Sequence, residues 1–208
     1  MKMKNTMLAL AAGLCLGAIA ETIQLPKPDA DSGVTVLQAL KARHSSRAFS
    51  EQEITPEALS GVLWAANGFN RPDKRTNATG LNKQEIEIYA CMKKGAYRYD
   101  AKANALVKVC DADLRPAIAD HQPYAAKVPV ALLIVADVSD PVYAKKWDTL
   151  SHYDAGIVSG NIYLYCAANG LATVCRGTMD RVALKKALKL SDKKILHLNH
   201  PIGLPAAK

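Results

Sequence analysis

The sequence predicts an α+β fold, a central mixed and mostly antiparallel sheet packed by helices in a single domain. Three observations carry that prediction. Val128 to Ala136 is an almost unbroken apolar run ending at Asp137, as expected of a strand covered on both faces. Ile86, Ile88 and Ala90 alternate with their neighbours ahead of a Lys94-Gly95 turn and two further short runs, which reads as a meander. Segments of helical period alternate with this meander, which suggests helices packed against a mixed sheet. At 208 residues, half of them hydrophobic, the chain suits one domain of ~100 to 200 residues with a full core.

Residues 1–20 read as a targeting segment outside the fold. Lys2 and Lys4 form a basic head, Met7 to Ile19 is apolar but too short to span a bilayer, and Ala18-Ile19-Ala20 fits small-x-small before a cleavage site. The expected mature chain is 21–208, exported to the periplasm after cleavage following Ala20, with no stable membrane insertion. A loop with Pro26, Pro28 and Gly33 follows. Asp31 or Ser32 is then placed to cap a helix from about Val34 to Arg43.

A second helix is signalled by Thr55 as cap, Pro56 in the first turn, Leu59, Val62, Leu63 and Ala66 on one face, and Asn67-Gly68 at the end. Asn70 to Asn82 is polar and reads as a loop long enough to ask for a function. Strands are expected over Glu85 to Met92, Ala96 to Tyr99 and Ala105 to Val109, then a short helix over Ala112 to His121. The longest helix is expected from Leu150 to Asn169, stopped by Gly170. Gly156 and Gly160 lie four apart on it and would let another helix approach closely, either inside the fold or from a second subunit. Leu171 to Arg176 reads as a strand, Asp180 to Leu190 as a helix through Val182, Leu184 and Leu188, and Lys194 to Leu198 as a last strand.

The net charge is +8, falling to +6 once Lys2 and Lys4 are removed, which suits an anionic partner or a phosphorylated ligand. No Lys/Arg block exceeds two residues, so a nucleic-acid partner is not expected. Cys91, Cys110, Cys166 and Cys175 remain in the mature chain without a C-x-x-C pair, and free, buried thiols are favoured. His197 and His200, three apart on a strand, should point to opposite faces, and with no Cys or carboxylate at ligand spacing no metal site is expected. No G-x-S-x-G elbow presents a serine nucleophile.

Arg43 to Phe49 reads Arg-His-Ser-Ser-Arg-Ala-Phe. Two guanidinium groups four apart with hydroxyls between them can grip a small dianion such as a phosphate monoester, or can equally be the solvated basic end of a helix. Further segments follow it in order: Leu63 to Pro72, Asn82-Lys83-Gln84-Glu85-Ile86, Asp154-Ala155-Gly156, and Gly170 to Gly177. The ordered set resembles the FMN-dependent nitroreductase family, within it the short group similar to SagB-type thiazole/oxazole-forming dehydrogenases.

That resemblance implies a nitroreductase-like fold, bound FMN, and a homodimer with the flavin at the interface. It places Arg43, His44, Ser45 and Arg47 on the FMN phosphate and one flavin edge. It places Ala78, Thr79, Gly80 and Asn82 on the loop that reaches the flavin from the second subunit, where the family usually carries Pro-Ser. Arg176 and Gly177 fall on the turn whose backbone nears the flavin N5 side, and Lys208 follows the closing Gly203-Leu204-Pro205. The implied activity is two-electron transfer from a donor, NAD(P)H in most of the family, to a nitroaromatic, quinone or similar small acceptor. The alternatives are an exported SagB-like dehydrogenase that oxidises a small molecule or peptide without nicotinamide, and a flavin-binding module with little turnover. No side-chain acid or base is obligatory, because the cofactor carries the hard chemistry.

Overall fold

The computed structural model describes residues 21–29, 33–144 and 149–207. The expected signal segment, Asp31, Ser32 and Lys208 lie outside the described residues. A short edge strand, β1 (Thr22–Gln24), leads to α1 (Val36–Ala42) and α2 (Pro56–Asn67). A hairpin, β2 (Phe69–Arg71) and β3 (Lys74–Arg75), precedes the meander β4 (Ile86–Met92), β5 (Gly95–Asp100) and β6 (Ala105–Cys110). Then come α3 (Arg115–Ala119), β7 (Val130–Asp137), α4 (Leu150–Ala168), β8 (Ala172–Thr173), α5 (Arg181–Ala187) and β9 (Lys194–Gly203).

Seven strands form one sheet in the order β1-β6-β5-β4-β7-β9-β8, and every pairing in it is antiparallel. The α+β expectation holds, and β7 lies between β4 and β9 with both faces covered. Val130, Leu132, Ile134 and Ala136 face one layer with Val62, Leu63 and Ala66 of α2 and Ala155, Val158 and Ile162 of α4. Ala131, Leu133 and Val135 face the other, with Ile118 of α3 and Leu184 of α5. Each fully buried Leu or Ile there contributes roughly 1.5–3 kcal/mol of transfer free energy, so this strand anchors both helical layers.

Local chemistry explains most boundaries. Thr55 accepts the Ala58 N–H at 3.2 Å with Pro56 at the first helical position, as anticipated for α2. The cap of α1 is Thr35 rather than Asp31 or Ser32, because Thr35 and Gln38 close a reciprocal capping box. The stretch expected as a plain loop holds the β2-β3 hairpin, closed by the Arg75 guanidinium stacked 4.1 Å over the Phe69 ring. Val182 is 81% exposed, so α5 buries Leu184 and Leu188 without it. The four cysteines among the described residues are free thiols, Cys91 and Cys166 buried, Cys110 and Cys175 half-buried.

The last strand is longer than expected and carries a bulge. Leu198 pairs with Ile134 and Leu196 with Val135, so His197 is an extra residue on β9. It shifts the alternation by one, and both histidines turn toward α4: His197 Nε2 lies 3.0 Å from Ser151 Oγ and His200 Nε2 lies 2.8 Å from Ser159 Oγ. The opposite-face expectation is therefore corrected. Among the described residues no three His, Cys, Asp or Glu side chains are grouped to hold a metal.

Candidate functional site

Tyr163, near the end of α4, is the junction of two segments far apart in sequence. Its hydroxyl lies 2.7 Å from Ser45 Oγ and accepts the Cys175 N–H at 2.8 Å. The Arg43 guanidinium sits 5.2 Å over its ring, and the ring edge meets His200 at 5.2 Å. His200 is fully buried between the hydroxyls of Ser159 and Thr173, and burial pushes its pKa down to about 3. It stays neutral and gives Tyr163 a fixed wall.

The chain supplies this junction in three steps. Arg43 caps α1 with an extended ψ of 122°, which ends the helix and throws the next residues across α4. The Ser46 N–H then bonds Thr173 at 2.9 Å, and Phe49 bridges Pro205. On the other side, Asn199 exchanges both backbone hydrogen bonds with Arg176. Pro201, two residues on along β9, points its ring nitrogen to the same side, and with no N–H to offer it leaves Val174-Cys175 free to leave the ladder. Cys175 gives its N–H to Tyr163 instead.

Arg43, His44, Ser45 and Arg47 are all exposed. Neither Arg43 nor Arg47 has an ion-pair partner among the described residues, while His44 Nδ1 lies 2.9 Å from the Ala42 carbonyl. Arg176 is different. Its guanidinium is buried and donates to Ile118 O, Ala119 O, Asn199 Oδ1 and Gln122 Oε1 at 2.9–3.0 Å, and its own N–H bonds Asn199. It braces the turn. Gly177 is exposed, its N–H has no partner among the described residues, and a Cβ built there meets nothing within 4 Å.

The segment Ala78 to Asn82 lies elsewhere in the same chain. The Gly80 N–H donates to Asp154 Oδ2 at 3.0 Å, and a Cβ on Gly80 would come within 2.9 Å of Leu150, so the turn sits against the first turns of α4. Thr79 Oγ1 accepts the Gln84 N–H at 2.9 Å. Leu81, Asn82 and Gln84 all hold φ of 53–55°, a costly run of left-handed residues kept in place by those contacts. From Asp154 to Tyr163 is nine residues, ~13 Å at the helical rise. One chain thus joins the Arg43–Arg47 segment to the Thr173–Cys175 segment and keeps Ala78–Asn82 at the other end of α4.

Between those two levels α4 has a bare face. Tyr153 and Ile157 are 66% and 42% exposed, and a Cβ at Gly156 or Gly160 would meet nothing within 4 Å. Val36, Leu37 and Leu40 of α1 are exposed as well. The two glycines therefore pack against nothing inside the described chain.

Two acids that the sequence reading assigned no role stand behind the Gly80 turn. Glu85 is 6% and Asp154 4% exposed. Burial, with Asp154 beside it, pushes the pKa of Glu85 up to about 7, against the pull of the neighbouring Tyr143 hydroxyl. Asp154 itself accepts the Gly80 N–H. Asp154 stood within a matching segment, so a signal existed; Tyr163 offered none, since nothing local distinguishes it from Tyr165.

Comparison with known proteins follows the same outline. The model of the nitroreductase family matches residues 40–203. The protein named "Putative nitroreductase MJ1384" of Methanocaldococcus jannaschii is 25% identical over 198 residues, spanning 89% of this chain and 98% of that protein. The crystal structure of a "putative nitroreductase" from Ralstonia eutropha JMP134 superposes with a TM-score of 0.81 at 32% identity, covering 93% of each chain. Nitroreductase A from Vibrio parahaemolyticus RIMD 2210633 shares the fold at a TM-score of 0.62 and 17% identity, covering 83% of this chain and 69% of that one.

Proposed function

The chain belongs to the nitroreductase family and is on that ground an oxidoreductase, and from this premise we propose that it binds FMN at the interface of a homodimer and passes two electrons from NAD(P)H to a nitroaromatic, quinone or similar small acceptor. The observation that carries the reading is the Tyr163 junction, which ties Arg43 and Ser45 to the Cys175 backbone, with exposed Arg47 and exposed Gly177 each two residues further along its own segment. Such a donor set fits a phosphorylated, ring-bearing cofactor. Arg43 and Arg47 would hold its phosphate through charge-assisted hydrogen bonds, with Ser45 oriented by Tyr163 beside them. Gly177 would offer its N–H at the reacting edge, with no side chain in the way. A bound flavin supplies the two-electron carrier. Lys208 is proposed as a further phosphate contact.

The bare face of α4 supports the dimer. The midpoint between Asp154 and Tyr163 falls level with Gly156 and Gly160, so two copies of α4 crossing antiparallel at the glycines would set the partner's Gly80 turn beside this chain's Tyr163. That is the arrangement in which Ala78, Thr79, Gly80 and Asn82 complete a site that one chain leaves open. Exposed Tyr153, Ile157, Leu37 and Leu40 support burial there.

We also propose export after cleavage at Ala20. The support is the basic head, the short apolar run and the small-x-small Ala18-Ile19-Ala20 that follows it. Export favours a second reading, a dehydrogenase that takes electrons from a small molecule or peptide, since free nicotinamide nucleotides belong to the cytoplasm. The visible spectrum of the purified chain, with mass identification of any yellow ligand, tests the cofactor. Anaerobic addition of NADH or NADPH then separates the readings: rapid bleaching is expected for the first, and none at millimolar donor would remove it.

A further inference from the structure

Between the β2-β3 hairpin and the Ala78–Asn82 turn lies a cavity of about 380 Å³, within the range of small-molecule pockets. Its wall is cationic and carries no acid: Arg71, Lys74 and Arg75 line it, with Asn77, Thr79 and Asn82. Arg75 is committed to the scaffold, donating to Asn67 O at 3.0 Å and Gln84 Oε1 at 3.1 Å. Arg71 and Lys74 are not. Arg71 uses only Nε, toward Asn70 Oδ1 at 3.3 Å, and Lys74 meets only the exposed Asp73, at 3.3 Å. Such a pair in water holds little of the lysine's charge.

The second observation is Asn77. Its residue is 3% exposed, and neither Nδ2 nor Oδ1 has a hydrogen-bond partner among the described residues. A buried carboxamide with both ends unsatisfied is costly to keep, and the expected remedy is a group from outside. Nδ2 donates and Oδ1 accepts, so the complement is an acceptor beside a donor. The hairpin around it is rigid: Thr76 Oγ1 donates to Trp64 O at 3.0 Å and Gln84 Nε2 to Asp73 O at 2.8 Å.

We propose that this cavity binds a small molecule bearing an oxyanion, a carboxylate or phosphate, next to an N–H or O–H group, with the oxyanion on Arg71 and Lys74 and the neighbouring polar edge on Asn77. That the molecule is a substrate rests on the oxidoreductase reading, since the cavity shares Ala78, Thr79 and Asn82 with the turn assigned to the cofactor; that it binds does not.

Calorimetric titration of the full mature chain with 4-hydroxybenzoate, phenyl phosphate and the neutral 4-hydroxybenzamide tests it. Either anion is expected to bind at least about tenfold tighter than the amide, their rank deciding between carboxylate and phosphate; equal affinities for all three overturn the proposal. The double variant Arg71→Glu, Lys74→Glu is expected to abolish the preference while retaining bound flavin, whereas loss of the flavin would assign the cavity to the cofactor and overturn it too. Asn77→Ala is expected to weaken anion binding with the melting temperature unchanged or raised, and a lower melting temperature with unchanged binding makes Asn77 structural and sinks its role. A wild-type chain without flavin would fail the oxidoreductase reading alone, because the titration stands on the flavin-free protein.

Discussion

Tyr163 spends one hydroxyl on two partners that are 130 residues apart in the chain, Ser45 and Cys175. Tyr163→Phe keeps the ring under Arg43 and against His200 and removes only those two bonds, so it is expected to weaken FMN about tenfold with little change in stability, as measured by flavin fluorescence recovery on dilution. Arg47→Ala is expected to cost more, since a charge-assisted contact is worth ~1.5 to 3 kcal/mol, tenfold to a hundredfold and more in affinity. Unchanged flavin affinity in that variant would refute the phosphate assignment. Glu85 gives a prediction in pH. An unfolded glutamate ionises near pH ~4.3, whereas in the fold burial beside Asp154 raises the value to about 7. The stability contributed by its neutral form is complete below the lower value and is lost as the pH rises through about 7. Glu85→Gln keeps the shape without the charge, so it should raise the melting temperature by several degrees at pH 8, ~1–3 kcal/mol, and do little at pH 4. Parallel melting curves for the two proteins across that range would refute the assignment.

At the scale of elements, α4 carries the most consequence. Its inner face packs α2 and the sheet, while Gly156 and Gly160 look out on open space. Gly160→Leu should therefore leave the single chain intact, even stabilise it through helix propensity by up to ~1 kcal/mol, and raise the dimer dissociation constant at least tenfold. Light scattering on eluting protein reads the mass, and a dimer undisturbed by leucine would place the subunit contact elsewhere. Strand β9 shows how one residue redirects a site. The extra residue at His197 turns both histidines to α4, and there His200 supports Tyr163. The pleat predicts opposite faces only while the register is unbroken, and a bulge is chosen by packing of β9 on β7, which no local pattern announces.

Over the whole molecule, a sheet packed by helices, the α2 boundaries, the central place of β7 and the course of α4 were all legible from periodicity and caps, whereas the sheet expected as mixed is antiparallel at every described pairing. Each depends on residues within a few positions of one another, and buried faces repeat with the strand or helix period that makes them. The segment Arg43 to Arg47 and Gly177 were legible as candidates through resemblance, but the meeting of Ser45 and Cys175 on Tyr163 was not. That meeting needs Arg43 to end α1 in an extended conformation, Pro201 to open the sheet edge, and Tyr163 to stand between. The inward turn of Arg176, the buried Glu85 and Asp154 pair and the empty-handed Asn77 were equally out of reach, because a side chain's hydrogen-bond partners come from whichever elements pack beside it. Periodicity is written in neighbours along the chain and could be read there; the junctions join groups of distant sequence, and only the packing of helices on the sheet could choose them.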